Sequence, residues 1–187
     1  METIAAILSR RSTPKLTEPV PNDDELQLVM QCALRAPDHG RLRPWRFFAV
    51  TGDDRIKLGE LYLRAAEQDN PELDESKREK LLNMPMRAPM LIIAIAEVTE
   101  DHKVPSIEQV VSVGAAVQNI QLALHDMGYG CMWRTGEMAE NNYIKTAMGF
   151  SAKDEIVGFL YIGTPEQAPK EVPAPEPGDF LTRWPSH

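Results

Sequence analysis

The stretch "APMLIIAIAE", residues 88–97, constrains the fold more than any other part of the chain. It is the longest apolar stretch of the chain, and it is far too short to cross a bilayer. An unbroken apolar run of this length, rich in isoleucine, reads as a strand with both faces buried. Such a strand needs a covering layer on each side. "DEIVGFLYIGTP" (154–165) reads as a second buried strand, stopped at Thr164–Pro165. "WRFFAVT" (45–51) and the middle of "GYGCMWRTG" (128–136) supply further strands.

The covering layers come from helical segments with clear punctuation. Residues 2–10 carry Ile4, Ile7 and Leu8 at helical spacing and end at Arg10–Arg11, where a helix C-terminus favours cations. In "PNDDELQLVMQCALRAP", Asn22 and Glu25 form a capping box, Pro37 forces an exit, and Leu26, Val29, Met30, Ala33 and Leu34 form a buried stripe. Residues 53–84 are helical with a break at Pro71, and their charge reads as a solvated cover rather than core. Residues 105–127 form a long helix that is apolar almost all round, with small residues at Ser112, Gly114, Ala115 and Ala116. A helix of that kind belongs at the centre of the fold or in a subunit interface. Gly128 caps it, and Gly149 ends a short helix in "ENNYIKTAMGF". The predicted fold class is α+β: a mixed central sheet of four or five strands flanked by helices, in one domain spanning residues 1–187. Residues 165–187, rich in proline, form an extended arm whose Phe180, Leu181 and Trp184 need a surface to land on.

Composition excludes several functions. A net charge of −8 argues against nonspecific binding to nucleic acid or to an anionic membrane. Two cysteines, Cys32 and Cys131, make no disulfide framework, and neither they nor His39, His102, His125 and His187 have metal-ligand spacing, so no metal is expected. The N-terminus lacks the pattern of a secretory signal, which points to the cytoplasm. There is no dinucleotide-binding glycine fingerprint, phosphate-binding loop or nucleophile elbow. His125 reads as a structural histidine. Unless a cofactor supplies the chemistry, the side chains offer no evident catalyst.

What remains is a local excess of cations in an acidic protein: Arg10, Arg11 and Ser12, then Arg35, His39, Arg41, Arg43 and Arg46. Two guanidinium forks and a hydroxyl within three residues suit a phosphate monoester. Scattered surface charge is the competing reading, and for Arg10 and Arg11 so is plain complementation of a helix end.

Five motifs taken in order are more specific than any one of them. "RRS" after the first helix, "RAPDHG…RPWRFFAV", "RAPMLIIAIAE", "GYGCMWRTG" and "IVGFLYIGTP" together resemble the nitroreductase family of flavoproteins, and within it the small YdjA-like NAD(P)H nitroreductase type. The resemblance covers about Ile4 to Pro165. It implies an intertwined homodimer with FMN at the interface, each flavin touching both chains, and an arm that packs on the partner. It implies that Arg10, Arg11 and Ser12 hold the FMN phosphate and adjacent edge. Arg35 and His39 would reach the flavin from the second helix and its loop, and Trp133, Arg134 and Thr135 from the opposite chain. A nicotinamide-nucleotide segment is assigned in some relatives at the positions of Ala123, Leu124, His125, Asp126, Met127 and Gly128. Against that assignment, a helix C-terminus beside Asp126 repels phosphate.

The resemblance further implies an oxidoreductase that passes hydride from NADH or NADPH through flavin N5 to nitroaromatics, quinones or similar flat acceptors, in ping-pong order, with no catalytic side chain required. This chain departs from the family at two places. Pro14 stands where a basic residue is usual, with Lys15 following, and Arg41 and Arg43 stand in the loop where Asn and Gln are common. A pocket containing Lys15, Arg41 and Arg43 is more cationic, which favours anionic reduced flavin and anionic substrates. Three other readings share these residues: a flavin store or sensor without turnover, a reductive dehalogenase-type or flavin-destroying enzyme, and a non-flavin dimeric binding module.

Overall fold

A computed structural model describes residues 2–168 and 172–184; residues 169–171 and 185–187 of the predicted arm, His187 among them, lie outside the described residues. The apolar run becomes strand β3 (Met90–Ala96), buried along its whole length. Alternation divides it between two cores. Leu91, Ile93 and Ile95 pack with Leu58, Tyr62, Ala65, Leu81 and Ile144 on one face of the sheet. Met90, Ile92, Ala94 and Ala96 pack with Val29, Ala33, Val113, Ala116, Val117, Ile120 and Leu124 on the other. Each fully buried isoleucine contributes about 1.5–3 kcal/mol, which holds β3 at the centre of the fold.

The layer on the second face is α2 (Asp23–Ala33) against α5 (Ser106–Asp126). α2 opens on the predicted capping box: the Asn22 side chain accepts from the Glu25 N–H at 3.0 Å, and the Glu25 carboxylate accepts from the Asn22 N–H at 2.9 Å. Val29 and Ala33 are buried as expected, whereas Leu34 is exposed because α2 ends at Ala33 and turns the chain outward there. The first face is covered by α3 (Asp54–Asp69), α4 (Glu75–Asn83) and α7 (Asn142–Ala147). This corrects the expectation that residues 53–84 are solvated cover only. Leu58, Tyr62, Ala65 and Ala66 form one stripe of α3 at helical spacing, and the charged residues on the other faces mask it in composition. The short α6 (Glu137–Glu140) and α1 (Thr3–Ser9) complete the α-helices among the described residues.

β2 (Trp45–Thr51) pairs with β3, and β3 with β5 (Glu155–Pro165). β4 (Gly130–Arg134) and the two-residue β1 (Leu16–Thr17) both pair with β5. Every one of these pairings is antiparallel, so the expected mixture of directions reduces to an isolated parallel bridge between Ser12 and Cys131. Consecutive elements can return along the sheet because helices or loops separate the strands, and no parallel crossover is needed. A register shift between Ala94 and Ile95 moves their partners from Gly158 to Ile156, leaving Val157 as an extra residue in β5. None of the helices among the described residues is long and apolar enough to cross a membrane.

Candidate functional site

The two cationic segments stand where helices end. α1 stops at Ser9, and Arg10, Arg11 and Ser12 follow as extended chain pinned to the edge of β4: the Thr13 N–H donates to the Cys131 carbonyl at 3.0 Å. The two arginines then part company. Arg11 turns back, its Nη1 donating to the carbonyls of Leu8 at 2.6 Å and Arg10 at 2.9 Å, so it satisfies the helix end. Neither Arg10, Arg11 nor Lys15 forms an ion pair with a carboxylate among the described residues. Arg10, Arg11, Ser12, Thr13 and Lys15 line a cleft of about 850 Å³, which Val172 to Pro175 of the arm close from the other side.

Behind this cleft lies a smaller one of about 160 Å³, bounded by Arg10, Arg11, Gln121, His125, Tyr129 and Cys131. His125 belongs to the last turn of α5, and its Nε2 sits 2.7 Å from Ser9 Oγ, joining α5 to α1. Burial first, and then the Arg10 charge, hold its imidazole below the usual range, against an opposing pull from Asp126. Burial likewise pushes the Cys131 thiol up to about 12, so this cysteine is a neutral core residue and not a nucleophile. Of the segment Ala123 to Gly128, Leu124 is fully buried and has no surface to offer a nucleotide, His125 faces α1, and Gly128 takes φ 88° to end the helix. Packing of an apolar helix onto the sheet turns Leu124 inward, into the core.

The loop after α2 carries the other cations. Arg35 is exposed at the helix exit, its N–H donating to the Cys32 carbonyl. His39 to Arg41 form a single 3₁₀ turn, in which Gly40 and Arg41, and then Arg43, all take left-handed backbone conformations. A non-glycine residue rarely adopts φ near 55°, and two so close together mark a strained loop. Asp38 ties it down: its carboxylate accepts the Arg43 N–H at 2.8 Å, and its carbonyl accepts the Arg41 N–H. Arg46 does not join the cluster, since it pairs with Glu97. His39 Nδ1 lies 2.6 Å from Glu108 in the first turn of α5.

Trp133, Arg134 and Thr135 end β4 at a third location. The Trp133 indole is 37% exposed and donates to the Val157 carbonyl at 3.1 Å. Arg134 places its guanidinium 5.7 Å from the centre of the Tyr161 ring. Thr135 lines a cleft of about 570 Å³ with Lys77, Lys80 and Met84 of the α4 region. Within one chain, then, the structure gathers Arg10, Arg11, Ser12 and Lys15 into one cleft, and leaves the loop cations and the β4 end outside it. Sequence reading missed Glu108, which looks like ordinary dipole complementation, and Gly158, whose signal was a lone glycine inside an apolar strand.

Comparison with known proteins bears on this arrangement. The chain is 37% identical to "Putative NAD(P)H nitroreductase YdjA" of Escherichia coli (strain K12), over 97% of this chain and 99% of that one. The fold superimposes on a nitroreductase-like family protein from Bacillus cereus with a TM-score of 0.84, at 23% identity, covering 100% and 97% of the two chains. An NADPH:FMN oxidoreductase from Vibrio harveyi, solved with NAD+, superimposes with a TM-score of 0.75 at 19% identity, covering 99% of this chain and 78% of that one. The family model described as "Nitroreductase family" matches residues 7–164, a span that runs from α1 through the cationic cleft to the end of β5. Sequence, fold and order of motifs agree: the chain belongs to the nitroreductase family, an oxidoreductase family.

Proposed function

We propose that this chain is an FMN-dependent NAD(P)H oxidoreductase that reduces nitroaromatics, quinones or similar flat acceptors, acting as a homodimer with FMN shared between two chains. The observation that carries this reading is the cleft at Arg10–Lys15, where cations free of carboxylate partners stand beside a hydroxyl in an opening of about 850 Å³. That donor set fits a phosphate monoester, because guanidinium, ammonium and hydroxyl groups all donate and phosphate oxygens only accept. Arg10 and Ser12 would hold the phosphate, with Lys15 adding charge at the position left by Pro14.

The separation of the three groups within one chain supports a site completed by a second copy. Apolar side chains on α1 and α5 lie open to solvent, among them Leu8 at 68%, Ile107 at 65% and Val111 at 62% exposure, and Trp184 on the arm stands at 92%. Pairing along these faces would bury them and bring Trp133, Arg134 and Thr135 of one chain toward the cationic residues of the other. Arg35 and His39 would approach from the loop after α2. When bound, FMN would supply hydride exchange between NAD(P)H and an acceptor, and with solvent delivering the accompanying protons no side chain need act as a general acid. The chain's residues bind, orient and shield, and exposed Arg41 and Arg43 add positive charge that favours anionic acceptors.

The visible spectrum of the purified protein before and after anaerobic NADPH tests this. A flavin band at about 450 nm that bleaches supports the oxidoreductase. A bound flavin that no nicotinamide bleaches points to a store. Protein that stays colourless after FMN is added refutes the cofactor and returns Arg10–Lys15 to an anion site of another kind.

A further inference from the structure

We infer that Glu108 is a positioning residue that fixes His39 in the Nδ1–H tautomer, so that His39 offers its Nε2 as a hydrogen-bond acceptor to a donor group of the ligand. The inference rests on the reading of His39 as a flavin contact given above, and adds which atom it uses and what holds it.

The argument starts from the 2.6 Å contact between His39 Nδ1 and Glu108 Oε2. An ionised carboxylate only accepts, so in the neutral form of the ring the hydrogen lies on Nδ1 and Nε2 keeps its lone pair. Free histidine in water favours the opposite tautomer; here the carboxylate selects this one. The two partners come from elements of different rigidity. Glu108 belongs to the first turn of the 21-residue helix α5, whose inner face is buried in the core. His39 belongs to the loop strained at Arg41 and Arg43 and tied at Asp38. The pair lies beside a cleft of about 300 Å³ that also involves Pro37, Ile107, Val111 and Ser112. The His39 side chain as a whole is 59% exposed.

An acceptor at Nε2 has a chemical consequence. Phosphate oxygens cannot donate to it, whereas the imide N–H and the ribityl hydroxyls of a flavin can. His39 is therefore assigned to the donor-bearing part of the ligand, apart from the phosphate held at Arg10. An exposed pair of this kind adds little stability; its effect is on orientation and tautomer.

Nitrogen-15 spectra of the histidine rings in protein free of FMN, with FMN titrations onto the same preparation, test this in wild type, Glu108→Ala, Glu108→Gln, His39→Ala and the double variant His39→Ala/Glu108→Ala. The expected result is a pyrrole-type Nδ1 and a pyridine-type Nε2 for His39 in wild type at neutral to mildly alkaline pH. Glu108→Ala reverses them and weakens FMN binding about fivefold. Glu108→Gln, which keeps an acceptor oxygen, retains most of both, and Glu108→Ala costs nothing further once His39 is alanine. A wild-type His39 already in the Nε2–H form overturns the inference, as does a Glu108→Ala loss that is the same with and without His39. If His39→Ala leaves FMN binding unchanged, the reading of His39 as a flavin contact falls and takes the positioning role with it, while the tautomer measurement still reports the Glu108 bond on its own.

Discussion

The indole of Trp133 occupies the space that a side chain at residue 158 would fill, and its Nε1 donates to the neighbouring Val157 carbonyl at 3.1 Å. The extra residue at Val157 makes this possible, because the shift in register leaves that carbonyl available beyond the ladder with β3. A missing side chain and a bulge in β5 thus set the orientation of an aromatic residue on β4.

Gly158→Ala is expected to dislodge Trp133. A Cβ there collides with the indole and crowds the Arg134 carbonyl, so the ring must swing out and give up its bond to Val157. The cost in stability is about 1–3 kcal/mol, by the ordinary penalty of overpacking. If Trp133 touches the flavin, FMN affinity falls as well. Urea unfolding and an FMN titration of the same variant measure both. A variant with wild-type stability would show that the two strands part easily at this point.

Arg10 and Arg11 are expected to separate by role. Arg10→Ala weakens FMN binding about 10- to 100-fold, the scale of a charge-assisted hydrogen bond to phosphate, and flattens the dependence of binding on salt. Arg11→Ala chiefly frees the carbonyls of Leu8 and Arg10 and costs about 0.3–1 kcal/mol of stability, with a smaller loss of FMN affinity. Isothermal titration at two ionic strengths, with a thermal melt of each variant, distinguishes them. Equal losses of affinity would mean that Arg11 leaves the helix end to bind ligand.

His125 is expected to make the protein acid-sensitive. Its folded pKa lies below the unfolded value of about 6.5, so the unfolded chain takes up a proton that the folded chain resists. Stability from this group is present above about 6.5 and is lost as pH falls through that range. His125→Gln removes this part of the slope between neutral and mildly acidic pH, which denaturant midpoints across the range would register. A slope unchanged by the substitution would assign the acid sensitivity to other groups.

Much of the framework was legible in the sequence for local reasons. The β3 run, the capping box of Asn22 and Glu25, and the glycines that end α5 and α7 are encoded by neighbours a few residues apart. The cleft cations could be found the same way, since Arg10, Arg11 and Ser12 are adjacent in the chain. Residues 53–84 misled because composition averages over a helix, whereas burial is decided by one stripe of it, Leu58 to Ala66.

What the tertiary structure alone decided are the relations between distant residues. The antiparallel order of the sheet, the meeting of His39 with Glu108, and the fit of Trp133 over Gly158 join positions tens of residues apart. So does the division of labour between Arg10 and Arg11, which share a sequence motif but face different surroundings. Period and punctuation are properties of a few consecutive residues, and a chain carries them before it folds. A contact between remote residues acquires its energy only when packing has excluded water and fixed both partners, so it becomes visible only in the folded molecule.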